Sequence, residues 1–247
     1  MIYANLNQFL IKLNAPAVKR ALLPQKSEKN SSSNRLSLLR LKRMECFLLL
    51  LSLLLVSLFC AGSYYYLDRP IAIYMSQFHH NTVSEFSLSV LLTELVYFIT
   101  LLFMLLYAYF HFVNIEHRWV EISGVLSLGI VIAFFIKAQL QYLFGRIGPR
   151  YISSNQLLFE RKSSLYGFHP FMSGSFPSGH MVIFTCLLLL FSYYYPKSRC
   201  WCYLLLAVLA FLLIFHNYHF LSDVVAGTYI GALIALTIRF LLQDKFK

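Results

Sequence analysis

Ser175-Phe176-Pro177-Ser178-Gly179-His180 runs directly into residues 181–195, fifteen positions without a charged side chain. The same arrangement occurs twice more. Gly145-Arg146-Ile147-Gly148-Pro149-Arg150 follows the apolar run 119–144, and Asn217-Tyr218-His219-Phe220-Leu221-Ser222-Asp223 leads into the apolar run 223–242. Each polar cluster closes one end of a stretch long and apolar enough to be a buried or membrane helix. The chain therefore reads as a helical bundle that brings basic, hydroxyl, imidazole and carboxylate groups together at one face.

Composition agrees with a bilayer as the solvent. Hydrophobic residues make up 59% of the 247, charged residues only 13%, and the mean hydropathy is +0.65, which excludes an ordinary soluble domain. The formal charge of +11 is not a nucleic-acid signature, because nine of the Lys and Arg residues fall in positions 1–43, just ahead of the first apolar run. A basic segment there anchors to anionic lipid on the cytoplasmic side. Within it, Ile2, Leu6, Phe9, Leu10 and Leu13 have the spacing of a short surface helix, and residues 27–35 read as a flexible tether; a disordered basic tail fits the composition equally well. The five cysteines show neither disulfide nor metal spacing and read as structural.

Hydropathy predicts an all-α integral membrane protein: the basic segment 1–43, then a domain 44–247 with six spans at 44–67, 88–113, 119–144, 181–195, 200–215 and 223–242. The first run resembles a signal peptide, but Phe59 is bulky where cleavage needs a small residue, so it is expected to stay as a helix. Residues 68–86 form a polar connection with an amphipathic helix along the outer surface. Six spans put both termini, Arg118, Lys197 and Arg199 on one side, which is cytoplasmic by the positive-inside rule. All three polar clusters then face outward.

The clusters carry a coherent chemistry. Ser178 and Gly179 sit where a helix is predicted to start, and unpaired N–H groups, the positive dipole end and a hydroxyl together cradle an anion; His180 points into the same space. Pro177-Ser178-Gly179 is also an ordinary turn with a capping serine. His219 and Asp223 are four apart on one helical face, so the carboxylate can hold the imidazole in one tautomer, or the pair can be a structural hydrogen bond. An oriented imidazole attacks phosphorus, and a second histidine protonates the leaving oxygen.

On these residues the chain resembles the type 2 phosphatidic acid phosphatase superfamily, whose site is shared with the vanadium haloperoxidases. The family pattern is Lys-x6-Arg-Pro, Pro-Ser-Gly-His and Ser-Arg-x5-His-x3-Asp. Pro177-Ser178-Gly179-His180 and His219-x3-Asp223 match it, and the likeness extends over residues 68–242. The resemblance implies a six-helix lipid phosphatase with an extracytoplasmic site that uses no metal or other cofactor. It removes phosphate from a phosphomonoester or diphosphate of a membrane lipid. His219 would form a phosphohistidine, Asp223 would orient it and His180 would be the general acid, with Ser178, the Gly179 amide and basic side chains on the phosphoryl oxygens.

Three family cations are absent from their places, which hold Gln141, Gly148 and Leu213. Arg146 survives, and Lys137 and Arg150 join it as expected phosphate ligands, with Arg161, Lys162, His169 and His216 as further candidates. Lys137 lies one helical turn below Gln141 on the same face; pairing with Glu121 or Glu94, or snorkelling to the interface, is the other use of its charge. The missing cations favour a second reading, a degenerate member that binds a lipid phosphate headgroup or a partner without turnover. Intact His180, His219 and Asp223 favour the enzyme. The intramembrane charges Glu94, Glu121 and Lys137 are too few for a transport pathway.

Overall fold

The computed structural model describes residues 28–78, 83–113, 117–149, 166–172 and 174–242, and every regular element among them is helical. In chain order these are α1 (Glu28–Tyr66), α2 (Asp68–Ser76), α3 (Val83–Phe112), α4 (Arg118–Phe144), α5 (Gly179–Tyr194), a 3-10 turn (Pro196–Ser198), α6 (Arg199–Phe215) and α7 (Leu221–Leu242). Two compact units divide the chain, Met1–Leu53 and Leu54–Lys247. In the first, the helix already runs from Glu28, which corrects the tether expected over residues 27–35. Once nucleated, a helix propagates readily through residues such as Arg35, Leu36 and Leu38. The predicted surface helix near the N-terminus falls outside the described residues.

Among the described residues, four helical stretches are long and apolar enough to cross a membrane: Cys46–Tyr66, Arg118–Phe144, Pro196–Phe215 and Leu221–Leu242. At 16 residues α5 rises only about 24 Å, short of a hydrocarbon core of about 30 Å. The described apolar part of α3, Phe98–Phe112, is also short. Leu54 and Leu58 on α1, Leu101 and Leu105 on α3, and Trp201 and Leu205 on α6 are exposed apolar side chains, as lipid contact requires.

The core of the second unit lies between α4, α5 and α7. Ile122, Leu126, Ile130 and Ala133 of α4 pack with Val182, Cys186 and Leu190 of α5 and with Ile234 and Ile238 of α7. Two glycines four apart bring α7 onto α5 backbone to backbone. A Cβ on Gly231 would lie 2.5 Å from the Val182 carbonyl oxygen, and one on Gly227 would lie 2.6 Å from that of Ser178. This approach lets the Ser178 N–H donate to the Asp223 carbonyl at 2.9 Å, which ties the start of α5 to the first turn of α7. On the other flank, Met181 of α5 and Val224 of α7 pack with Leu206 and Leu213 of α6.

Gly145 ends α4 in the left-handed conformation at φ 57°, its N–H bonded to the Gln141 carbonyl at 2.9 Å. Any Cβ there would sit 1.7 Å from the His169 carbonyl oxygen, because the 166–175 segment folds back on it. His169 N–H donates to the Gly145 carbonyl and Ser175 N–H to that of Arg146. The amphipathic helix expected within residues 68–86 is α2. It buries Asp68 and Ala72 and exposes Ile73 and Tyr74. Asn217, at φ 56°, donates through Nδ2 to the Ala72 carbonyl at 3.0 Å, docking α2 against the turn that leads into α7.

Candidate active site

The end of α4, the start of α5, the start of α7 and the head of α2 meet at one end of this unit. Ser178 is fully buried and its Oγ has no hydrogen-bond partner among the described residues. It caps nothing through its side chain, so the ordinary N-cap reading does not hold. An orphaned hydroxyl beside the first amides of α5 is a donor waiting for an acceptor. His180, one residue into the helix, faces His219 with the ring centroids 6.1 Å apart and the planes at 68°.

His219 is held from both sides. Its N–H donates to the Leu213 carbonyl at 3.2 Å, and its Nδ1 lies 3.7 Å from Asp223 Oδ2, within ion-pair range but longer than a hydrogen bond. Asp223 is buried and held by three bonds: Oδ1 accepts from Arg146 Nη1 at 2.7 Å, and Oδ2 accepts from Ser175 Oγ at 2.9 Å and Phe220 N–H at 3.2 Å. With Nδ1 turned to the carboxylate, Nε2 is the imidazole nitrogen left for chemistry.

Arg146, expected to bind phosphate, is engaged by protein groups in this structure. The side chain is fully buried, with Nη1 on Asp223 and Ser222 Oγ at 2.7 Å each and Nη2 on Asp68 at 2.8 Å. Four rings, Tyr64, Tyr166, Phe168 and Phe220, surround the guanidinium, the nearest centroid being that of Phe220 at 4.1 Å. Burial alone would lower its proton affinity, but Asp223 and Asp68 outweigh that and hold it above the usual arginine range. Tyr166, whose hydroxyl donates to the Tyr64 carbonyl at 2.6 Å, has its phenol pushed up by burial. Arg146 is thus the centre of a buried carboxylate–guanidinium–carboxylate trio, and two of its three nitrogens are already engaged.

The Lys137 stem passes the start of α5, and its Nζ lies 4.9 Å from the Phe134 ring centroid. A Cβ on Gly179 would meet Lys137 Cδ at 2.9 Å and Gln141 Nε2 at 3.2 Å, so both side chains lie across the α5 start. Gln141, in the place of the family lysine, donates to the Pro177 carbonyl at 3.1 Å and braces that turn. Among the described residues no ion pair joins Lys137 to Glu121 or Glu94. Of the other absent cations, Leu213 is buried in the α5–α6–α7 contact, where a charge would be unsolvated. Gly148 sits beside Ser175 and the Tyr218 carbonyl. Among the further candidates, His169 has a buried Nε2 without a hydrogen-bond partner among the described residues, and His216 stacks edge-on to Phe215. Arg150, Arg161 and Lys162 lie outside the described residues.

Sequence reading missed Asp68, Ser175 and Ser222. Asp68 carried a weak signal, as an acid directly after a long apolar run; the serines carried none beyond their nearness to motif residues. Among the described residues, no group of three or more His, Cys, Asp or Glu side chains has a metal-binding arrangement.

The long apolar helices are compatible with a membrane protein, and two facing histidines, with a buried carboxylate behind one of them, gather where α5 and α7 begin. The PAP2 superfamily model matches residues 122–247, just over half of the chain, and the protein belongs to that family. Membership points to phosphatase chemistry in general. Neither a curated protein nor a solved structure matches the chain.

Proposed function

We propose that the protein is a lipid phosphate phosphatase working through a phosphohistidine. The observation that carries this reading is the His180–His219 pair, 6.1 Å apart, beside the unpartnered Ser178 hydroxyl at the start of α5. His219 Nε2 attacks phosphorus, the bond to the lipid oxygen breaks, and His180 gives that oxygen its proton. Water then attacks the phosphohistidine, His180 takes the water proton, and phosphate leaves as His219 is regenerated. Ser178 Oγ and the Gly179 amide donate to the phosphoryl oxygens, and Lys137 and Arg150 supply positive charge. A phosphomonoester or diphosphate of a membrane lipid fits a site at the end of apolar helices. Phosphate release by the purified protein in detergent, from phosphatidate, phosphatidylglycerophosphate, undecaprenyl diphosphate and lipid A, tests the reading directly.

Lys137→Met is expected to weaken binding or turnover, because it removes a cation whose stem passes Gly179. Adding Gln141→Lys should recover much of the loss by returning the charge to the family position one turn higher. Unchanged kinetics in Lys137→Met would leave the phosphate to Arg150, the amide and the hydroxyl.

The site is proposed to be extracytoplasmic, with six spans and both termini in the cytoplasm of a plasma or inner membrane, on the strength of the one-sided Lys and Arg distribution. A reporter fused after Lys247 should then be cytoplasmic and one inserted near Ser154 exposed outside. Both on one side would refute this topology.

One observation favours a second reading. With Arg146 committed to carboxylates and three family positions uncharged, the described site has few cations for a transition state, which suits a protein that holds a lipid phosphate headgroup without turnover. Tight lipid binding with no phosphate released from any of the four substrates would establish it.

A further inference from the structure

Asp68 lies far outside the residues that the family match covers, yet it is built into the site. Its Oδ1 accepts from Ser63 Oγ at 2.7 Å and from the Ser222 N–H at 3.0 Å, and its Oδ2 accepts from Arg146 Nη2 at 2.8 Å and from Ser222 Oγ. It is buried, and the whole of α2 is pinned beside it by Asn217, two residues before His219.

We propose that Asp68 is a positioning residue of the reaction: by sharing the Arg146 guanidinium with Asp223, it keeps the Asp223 carboxylate available to His219. This rests on the reading of His219 as the nucleophile. Two carboxylates here divide one cation, each taking one terminal nitrogen. Were Asp68 neutral, the guanidinium charge would fall on Asp223 alone. Asp223 Oδ2 already accepts from Ser175 and Phe220, so a further loss of its negative charge loosens its hold on an imidazole that is 3.7 Å away. Ser222 couples the two carboxylates a second time, since it precedes Asp223 and bonds to both Asp68 and Arg146.

Asp68→Asn keeps the size and one accepting oxygen, removes the charge and turns the other acceptor into an amide donor. The expected result is a kcat lower by about tenfold or more with KM within about twofold, the size seen when an outer group that orients a reacting ligand is lost. In detergent, the ring 15N signals of His219, assigned with a His219→Gln variant, should change from one dominant neutral tautomer with the proton on Nδ1 to a mixture. That signal needs no turnover. A tautomer change in a protein that releases no phosphate would therefore uphold the positioning role while removing the phosphatase reading. Turnover with unchanged kcat and tautomer in Asp68→Asn would overturn the positioning role alone. Asp68→Glu, which keeps the charge, should keep the single tautomer and regain several-fold in kcat over Asp68→Asn. No recovery in Asp68→Glu, or failure of both variants to fold, makes Asp68 a fold-holding group and overturns the proposal.

Discussion

His219→Ala is expected to reduce phosphate release by about 10⁴-fold or more, the scale on which removing a catalytic nucleophile or its orienting partner acts. The protein should nevertheless fold normally. The ring makes no hydrogen bond through Nδ1, and the backbone N–H to the Leu213 carbonyl survives the substitution. Asp223 keeps its bonds to Arg146, Ser175 and Phe220, so no buried charge is stranded. A thermal unfolding midpoint close to wild type, beside near-zero turnover on a lipid substrate, is the result to look for. His180→Ala serves as the companion. As a proton donor to the leaving oxygen, it should matter far less for p-nitrophenyl phosphate than for a lipid alkoxide. Near wild-type activity in His219→Ala would end the phosphohistidine mechanism.

Arg146→Leu should behave in the opposite way, as a failure of the fold. The substitution leaves Asp68 and Asp223 buried with no cation between them. Breaking a buried pair by removing one partner costs about 3–5 kcal/mol, and here two carboxylates lose the same partner. The guanidinium also fills the space between Tyr64, Tyr166, Phe168 and Phe220, so its packing is lost with its charge. Unfolding in detergent at a markedly lower temperature, or loss of folded protein on extraction, is expected. A stable Arg146→Leu protein whose only defect is a raised KM would mean that Arg146 contacts phosphate after all.

These two variants mark how far the chain could be read in one dimension. Apolar runs bounded by charge, Pro and Gly located α4, α6 and α7 to within two residues of the expected 119–144, 200–215 and 223–242. The facing histidines were legible because the signals are local: Pro177-Ser178-Gly179-His180 starts a helix, and His219 and Asp223 are one helical turn apart. The number of spans was less legible. Among the described residues four helices are long and apolar enough to cross, and α5 matches its expected run at 16 residues, so the count of six stays a proposal. The Lys137 register was also readable, but its freedom from Glu121 and Glu94 was not, because that depends on which faces neighbouring helices turn toward each other.

The sequence by itself determined the helical class and the family, and it placed two histidines and a carboxylate beside predicted helix starts. All of these rest on composition or on spacings of a few residues, where chain geometry leaves little choice. Only the tertiary structure decided what Arg146 does. It sits in a motif that promises a phosphate ligand, but Asp68 reaches it across 78 residues of chain and Asp223 across 77. The backbone approach of Gly227 and Gly231 to α5 and the docking of α2 by Asn217 set that meeting. A charge takes whichever opposite charge the folded chain buries beside it, since burial makes an unpaired ion too costly, and no local pattern records that partner in advance.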